Sequence, residues 1–397
     1  MSADSPAFSF VVSRNVLFET LSLLRGGVES RSGLPILSHI LIDAADNGLR
    51  LTCSNLETEI TASLPAEVAG PFRATAGAGK LHDIARHAPE GAKLTFSLQG
   101  ERLTVRYGKT RFALQSLRPD EFPRAEVQSD SQAWSMPGQT LYRLLGFVEH
   151  AVAAQDVRYY LNGALLEADG QALRAVASDG FRLALNEAGS SLTFPPDARP
   201  IIPRHAVVLF NRLIGANEQD VRLSLSSRSV RLEMGAVCIT ARLIDGKFPN
   251  YQPLVPAKTS TVARVKRASL QEALRRAAIC ADGAKTPVAL VLGEGILSIT
   301  VSGQNGEEFT ETLPIDYTGV SFRIGFNVKF LLESLDAVGA DTVQLGFNNS
   351  DAGAVVQGVD ATTPFVVLMP VRLPPLGASV PETEEDRVEN ETAAAAA

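Results

Sequence analysis

A threefold internal repeat constrains this chain more than any other feature. Three short segments, Cys53-Ser54-Asn55, Ala177-Ser178-Asp179 and Val301-Ser302-Gly303, each lie between two stretches of alternating apolar residues. The serines of the first two segments are 124 residues apart, and so are the serines of the second and third. Self-similarity at a constant period indicates a repeated structural unit. Equal spacing and a shared element order argue against three unrelated domains.

Two helical patterns accompany each repeated segment, one before it and one after it. Apolar residues recur there at helical spacing, as in Leu141, Leu144, Leu145 and Val148. This spacing predicts amphipathic helices with a single buried stripe. The six predicted helices cover residues 13–27, 79–88, 137–152, 203–215, 266–278 and 327–340.

Between the helices the apolar period changes to two, as in Leu94-Phe96-Leu98, Val221-Leu223-Leu225 and Leu297-Ile299-Val301. Polar residues at the alternate positions predict sheets with one solvated face, so the helices should cover the other face. The predicted fold class is therefore α+β, with three repeated domains of antiparallel sheet and helices on one side. The predicted domains are residues 1–133, 134–257 and 258–373.

The last 24 residues, 374–397, differ in composition from the rest of the chain. They contain six acidic residues, one arginine and a run of alanines, with little to bury. This composition predicts a disordered acidic tail. An inert solubilising role is the favoured interpretation. The alternative is that Leu376 folds back into an apolar pocket and competes with a partner.

The distribution of charge matters more than the net charge of −7, which taken alone argues against nucleic acid. The tail accounts for −5, while the six predicted helices carry twelve Lys or Arg and six acidic residues. A basic helical layer on one side of acidic sheets would attract DNA phosphates without reading sequence. Ordinary solvated helix faces are an equally good explanation of the charge alone.

No constellation for catalysis or metal binding is found in the sequence. The motifs HExxH, GxSxG and GxGxxG do not occur, and Cys53, Cys238 and Cys280 form no CxxC pair. Asp179-Gly180 and Asp245-Gly246 are interpreted as turns between strands, although a hydrolase that uses either aspartate stays an alternative, as does a monomeric peptide-binding scaffold. No signal peptide or long apolar stretch occurs, so a cytoplasmic protein without cofactor is expected.

Six segments resemble the bacterial beta sliding clamp, the beta subunit of DNA polymerase III. They are GLPIL (33–37), QDVRYYLNG (155–163), ASDGFRLA (177–184), LIDGKFPNY (243–251), IGFNVKFLLE (324–333) and VLMPVRL (367–373), in the order and spacing of that family. The resemblance covers residues 8–373. It implies a non-catalytic processivity factor in DNA replication, with three clamp domains per copy. Two copies would close head to tail into a homodimeric ring around duplex DNA, with the sheets outside and the helices lining the inside.

The resemblance also implies where this chain meets its partners. By similarity, Phe112 and Leu114 of one copy contact Ile279 and Cys280 of the other, and Cys280 stands where the family often has a larger apolar residue. Residues that match channel positions, and so imply sequence-independent contact with duplex DNA, are Arg31, Lys80, Gln155, Tyr159 and Arg204.

A peptide-binding cleft between the second and third domains is implied as well, for the DNA polymerase III alpha subunit, the clamp loader and other proteins with a clamp-binding motif. Arg158 and Arg182 are expected to meet acidic or backbone groups there, while Phe181 and Phe330 depart from the more polar residues common in the family. The matching residues are Arg158, Tyr160, Leu161, Ser178, Gly180, Phe181, Arg182, Leu183, Pro249, Leu254, Asn327, Phe330, Val367, Leu368, Met369, Pro370, Val371 and Arg372.

Overall fold

The computed structural model describes residues 8–29, 33–45, 48–125, 130–195, 198–255, 258–281, 286–303 and 306–373. The chain divides into two units. Unit 1 comprises Met1–Ala177 and Glu187–Phe248, and unit 2 comprises Ser178–Asn186 and Pro249–Ala397. The tail predicted for residues 374–397 lies outside the described residues.

Six α-helices occur in the described ranges, and each begins at the residue after a strand ends. They confirm the six predicted helical segments, and their apolar stripes are buried as expected from the 3.6-residue period. Leu141, Leu144, Leu145 and Val148, for example, are all buried. The helices are α1 (Arg14–Leu24), α2 (Ala78–His87), α3 (Gly138–Val148), α4 (Arg204–Ile214), α5 (Arg267–Ala277) and α6 (Val328–Val338).

The strands of the described residues pair in antiparallel fashion, which confirms the predicted α+β architecture. The first part of the chain forms β1 (Ser9–Ser13), β2 (His39–Ala45), β3 (Gly48–Ser54), β4 (Thr58–Leu64), β5 (Glu67–Ala69), β6 (Phe72–Gly77), β7 (Lys93–Gln99), β8 (Arg102–Tyr107) and β9 (Thr110–Gln115). The middle forms β10 (Gln132–Pro137), β11 (Gly163–Ala168), β12 (Ala172–Ser178), β13 (Arg182–Gly189), β14 (Ile201–Pro203), β15 (Asp220–Leu225), β16 (Ser229–Met234) and β17 (Val237–Arg242). The last part forms β18 (Thr261–Lys266), β19 (Pro287–Gly293), β20 (Ile296–Ser302), β21 (Glu308–Pro314), β22 (Phe322–Asn327), β23 (Thr342–Phe347), β24 (Ala354–Gly358) and β25 (Phe365–Leu368).

Unit 1 contains a five-stranded sheet in the order β5-β1-β7-β8-β9 and an eight-stranded sheet in the order β10-β15-β16-β17-β4-β3-β2-β6. It also contains the neighbouring strands β14, β11 and β12. The predicted alternation holds in β15, where Val221, Leu223 and Leu225 are buried while Arg222 is exposed. One face of the sheet is therefore core and the other is solvated.

The eight-stranded sheet is continuous between the first and second repeats. Strand β17 pairs with β4 over five residues, and Ile239 stands opposite Ile60. The helices meet closely beside this junction. Arg212 of α4 donates a 2.8 Å hydrogen bond to the carbonyl oxygen of Ser22, and a Cβ at Gly26 would lie 2.6 Å from Leu209 Cδ2. The two repeats are thus joined through both backbone pairing and helix contact.

Unit 2 contains a four-stranded sheet in the order β21-β20-β19-β22, and a run of strands in the order β13-β25-β24-β23-β18. Here β13, from the second repeat, pairs with β25 of the third, and Ala184 stands opposite Val366. Both Ile60 and Ala184 lie six residues after the serine that marks their repeat. The two junctions therefore use equivalent positions. No helix of the described residues is long and apolar enough to cross a membrane.

Candidate functional site

The turn that contains Ser178 and Asp179, of the second repeated segment, presents Phe181 to solvent. Asp179 Oδ1 accepts hydrogen bonds from the backbone N–H groups of Phe181 (3.0 Å) and Arg182 (3.1 Å), and Ser178 Oγ donates to the carbonyl oxygen of Arg182 at 2.8 Å. Gly180 has φ of +88°, a conformation that favours glycine. These contacts fix the turn expected from the Asp-Gly pair, and they leave Phe181 60% exposed.

The side chain of Arg182 forms its contacts with other residues of the same chain. Its Nε lies 3.0 Å from Asp179 Oδ2 and its Nη1 lies 2.6 Å from Glu333 Oε2. The guanidinium carbon lies 4.4 Å from the centre of the Phe330 ring, within the range of a cation–π contact. The side chain is 6% exposed. The positive charge expected to meet a partner thus already has two carboxylates and a ring face.

We call Phe181, Arg182, Phe330 and Glu333 the clasp. Phe330 and Glu333 of the clasp lie on α6. Asn327 Oδ1 accepts from the backbone N–H groups of Lys329 (3.0 Å) and Phe330 (3.2 Å), so it caps the helix start. The two phenyl rings of the clasp lie 6.0 Å apart between centres, inclined by 28°. Met369, 40% exposed, donates its backbone N–H to the Phe181 carbonyl oxygen at 2.9 Å. An apolar surface of two rings and a thioether results.

The other residues of unit 2 that the resemblance matches to the cleft are either buried in the core or lie at the surface. Leu183, Val367 and Leu368 are buried in the paired strands β13 and β25, so their side chains support the surface from within. The remaining residues lie at least partly in solvent, and they are Pro249, Leu254, Pro370, Val371 and Arg372.

The residues of unit 1 that the resemblance matches to the cleft lie in and beside a short 3-10 helix, Tyr159–Leu161. Leu161 is buried, while the rings of Tyr159 and Tyr160 contact each other edge to face with centres 5.7 Å apart. Arg158 donates to both carboxylate oxygens of Asp156, at 3.0 and 2.8 Å. Hydrogen bonds from the side chain and backbone of Arg158 lower the pKa of Asp156 to about 2.

The residues matched to the DNA channel have different surroundings within unit 1. Lys80 is exposed in the first turn of α2, and Tyr159 is 55% exposed. Gln155 has φ of +56°. Arg204 is half-buried at the start of α4 and donates to the carbonyl oxygens of Val152 and Glu149. Arg31 lies outside the described residues.

The residues matched to the dimer contact lie at or beside sheet edges. Phe112 and Leu114 are half-buried on β9, the last strand of its sheet. Ile279 follows α5 and is 83% exposed. Cys280 Sγ lies 4.0 Å from the carbonyl oxygen of Glu308 on β21, the last strand of the four-stranded sheet.

Sequence reasoning missed Glu333 and Asp179 as partners of Arg182, and Phe309 as an apolar residue of the β21 edge. The three-residue spacing of Asp179 and Arg182 was a usable signal. Glu333 is 151 residues from Arg182, and no pattern in a single sequence joins them. Within the described residues, no group of three His, Cys, Asp or Glu side chains could hold a metal ion.

Three family models together match almost the whole described chain. The N-terminal domain model of the DNA polymerase III beta subunit matches residues 8–126, the central domain model 135–250 and the C-terminal domain model 252–372. The chain belongs to the DNA polymerase III beta subunit family. It therefore contains three clamp domains, and the family is one of non-catalytic processivity factors.

Relatives and solved structures of this family match over nearly all of the chain. The beta sliding clamp of Salmonella typhimurium is 34% identical over 368 residues, which cover 92% of this chain and 100% of the relative. The crystal structure of the Pseudomonas aeruginosa beta subunit has a TM-score of 0.87 at 33% identity, with 92% and 100% coverage. The Bartonella birtlesii sliding clamp bound to griselimycin has a TM-score of 0.88 at 30% identity, with the same coverage.

Proposed function

We propose that two copies of this chain close head to tail into a ring around duplex DNA, and that the ring holds DNA polymerase III on its template. The proposal rests on one observation. Two pairs of strands join consecutive repeats at equivalent positions, and the strands of an equivalent third pair lie at the ends of their sheets. In unit 1 the edge of one repeat pairs with the next through β17 and β4, and in unit 2 through β25 and β13. The equivalent strands that end their sheets among the described residues are β9 and β21.

The two junctions predict the register of the third. Phe112 is the third residue of β9, as Ile239 is of β17. Phe309 pairs with Val301 just before Ser302, as Ile60 pairs with Cys53 just before Ser54. Since Ile239 stands opposite Ile60, the proposed contact between copies has Phe112 opposite Phe309. A heterologous contact of this kind leaves no β9 or β21 edge unpaired only if the assembly closes.

Charge on the two edges is complementary. Strand β9 and its turn carry Lys109 and Arg111, while β21 begins at Glu308 and is preceded by Glu307, and all four residues are exposed. The proposed register puts Arg111 diagonally across from Glu308. Opposite charges at cross-strand positions stabilise a pairing, and like charges oppose it. The charges therefore favour the pairing of β9 with β21 over the pairing of either edge with itself.

Contact with DNA is proposed through the helices. Exposed basic residues occur on five of them, including Lys80 of α2, Arg143 of α3, Arg212 of α4 and Arg275 of α5. A lining of such residues would hold phosphates at long range without base contacts, so binding should be weak and salt-sensitive until the ring is closed. The cytoplasm, where replication of bacterial DNA takes place, is the proposed location.

We further infer that partner proteins dock short segments on the surface around Met369, Leu254 and the clasp. Exposed apolar residues with a pliable methionine suit inserted side chains, and the Bartonella relative is a clamp bound to griselimycin. The proposed partners are the DNA polymerase III alpha subunit, the clamp loader and other proteins with a clamp-binding motif.

The decisive experiment compares retention on two forms of the same DNA. Protein loaded on a nicked circle should stay bound through gel filtration in about 0.5 M salt, where simple phosphate contacts are strongly weakened. Cutting the circle once should release it over the free ends. Equal retention on circular and linear DNA contradicts a closed ring, and a mass of one chain in solution favours a monomeric scaffold.

A further inference from the structure

The solvated face of the eight-stranded sheet in unit 1 contains a polar groove of about 650 Å³. Its floor consists of two neighbouring rows of residues that run across β15, β16, β17 and β4. The first row is Ser224, Arg231, Thr240 and Glu59, and the second is Arg222, Glu233, Cys238 and Thr61. These side chains alternate along the strands with buried residues such as Ile60 and Ile239. The groove therefore lies on the face of the sheet that points away from the core.

Two ion pairs fix part of the charge in the groove. Arg124 Nε donates to Glu59 Oε2 at 2.9 Å and its Nη2 donates to Oε1 at 3.3 Å. Arg231 Nη2 donates to Glu233 Oε1 at 2.8 Å. The lining contains four arginines and two glutamates. These pairs therefore leave an excess of two positive charges.

The excess charge belongs to arginines at opposite ends of the groove. Arg222 lies 3.8 Å from Glu233 and is 63% exposed. Arg50 is exposed opposite Ser63 on one side and Asp43 on the other, and no ion pair joins Arg50 to Asp43 in the described part of the chain. A guanidinium has five N–H donors, so both arginines can bind an anion.

The spacing of these arginines favours a linear anion over a single small one. Four strand spacings separate β15 from β3 in the sheet, which amounts to roughly 19 Å, or the length of about six residues of extended peptide. Among the described residues that line the groove none is aromatic, whereas sites for single-stranded nucleic acid stack bases on aromatic side chains. An acidic peptide segment is therefore the ligand class that fits best.

The chain itself contains such a segment. Residues 382–391 include six acidic residues and one arginine, a net charge of −5. They follow Leu373, the last described residue, by 9 to 18 positions. Extended linking residues would allow a reach of roughly 30 to 60 Å. Such a tether gives the segment a high effective concentration at any surface within that reach.

We propose that residues 382–391, the acidic run, dock in this groove of the same copy or of a neighbouring one, with their carboxylates bound by Arg50 and Arg222. Arg124 and Arg231, held by their own glutamates, add positive charge to the groove between those ends. The tail is then a tethered ligand, not the inert segment that its composition alone favours. The proposal depends on neither ring closure nor partner docking.

The thiol of Cys238 reports whether the groove is occupied, because Cys238 is half-buried on its floor between Glu233 and Thr61. In wild type, iodoacetamide should label Cys238 about three- to tenfold more slowly than in a full-length tail-neutral variant. The two rates should converge in about 1 M salt, which screens exposed charges. Peptide mass spectrometry measures the labelling at Cys238 alone. The tail-neutral variant carries Glu382→Gln, Glu384→Gln, Glu385→Gln, Asp386→Asn, Glu389→Gln and Glu391→Gln.

The ratio of these two rates is then compared between groove variants, so that any direct effect of an arginine on the thiol cancels. Arg50→Ser and Arg222→Ser should each lower the ratio, and together they should bring it close to one. Arg222→Lys keeps the charge and should keep most of the ratio. The matched control is Arg73→Ser. Arg73 lies on β6 of the same sheet, outside the groove, where it pairs with Asp120 at 3.0 Å, so the ratio should not change.

Equal labelling of wild type and the tail-neutral variant at low salt overturns the proposal. A ratio that survives the loss of both arginines also overturns it, because the tail would then slow the labelling from another site. If the double variant does not fold, as judged by circular dichroism, the two single variants decide in the same way. Slower labelling upon addition of a single-stranded oligothymidylate, with no effect of the tail, would assign the groove to nucleic acid and reject the acidic run as its ligand.

Discussion

Ile239 of β17 stands directly opposite Ile60 of β4, where the first and second repeats share one sheet. The same relation recurs in unit 2 between Val366 and Ala184. An apolar pair at this position of each junction is thus a property of the repeat. We therefore expect Phe112 and Phe309, at the equivalent positions of β9 and β21, to form the same kind of apolar pair between two copies.

The contact between copies should be lost when a charge is placed on either of these phenylalanines. Phe112→Asp and Phe309→Asp would each bury an unpaired carboxylate, at a cost on the order of several kcal/mol of association free energy. Light scattering should report about half the wild-type mass, with an unchanged circular dichroism spectrum. Val320→Asp, at a residue 85% exposed in unit 2, is the control and should remain dimeric. Dimers formed by both phenylalanine variants would show that the register is wrong.

Ile279 lies outside the strands, so its substitution tests the contact between copies independently. Because it is 83% exposed within the chain, Ile279→Asp should fold normally and lose little thermal stability. If it is covered by a second copy, the variant should be a monomer and should no longer stay on circular DNA. A variant that stays dimeric removes Ile279 from the interface, whatever the result for Phe112.

The docking surface should respond to charge at Met369 without any effect on the dimer. Met369→Asp puts a carboxylate beside Phe181, so the affinity for a bound alpha-subunit peptide should fall about tenfold or more. The mass in solution and retention on circles should be unchanged, because the substituted side chain is exposed and lies away from β9 and β21 in sequence and sheet order. Fluorescence anisotropy measures the peptide affinity. Unchanged affinity would mean that the docking surface is elsewhere.

Asp156 should make folding stability depend on pH in a narrow acidic range. Its pKa is lowered to about 2 by hydrogen bonds from Arg158, below the value of about 3.9 in an unfolded chain. Its stabilising effect should therefore be complete above about pH 5 and should be lost progressively as the pH falls through 4 to below 2. Urea unfolding of wild type and Asp156→Asn at several pH values measures this. If the difference in unfolding free energy between wild type and Asp156→Asn does not shrink from pH 4 to pH 2, the hydrogen bonds from Arg158 do not stabilise the Asp156 carboxylate as described.

Local periodicity was sufficient to predict the helices and most strands, because one buried stripe or one buried face leaves a direct pattern in the sequence. The stripe of Leu141, Leu144, Leu145 and Val148 is an example. The resemblance supplied the residues of the proposed docking surface, but it did not indicate that Arg182 would be paired with both Asp179 and Glu333. Such partners depend on which distant segments meet, and a single sequence does not encode that in any local spacing. The pairing of β17 with β4 was unpredicted for the same reason.

The continuous sheet of unit 1 also limits how the first and second repeats can move relative to each other. Bending between the first and second repeats cannot proceed by rotation about a linker, since it would break the five consecutive residue pairs that join β17 to β4. Relative motion of neighbouring domains is the usual expectation where only a small polar interface joins them, and here a backbone ladder replaces that interface. The parts of the first two repeats that lie in unit 1 should therefore move as one rigid arm. If the assembly opens to admit DNA, the hinge has to lie outside this arm, and a crosslink between β17 and β4 should leave loading unaffected.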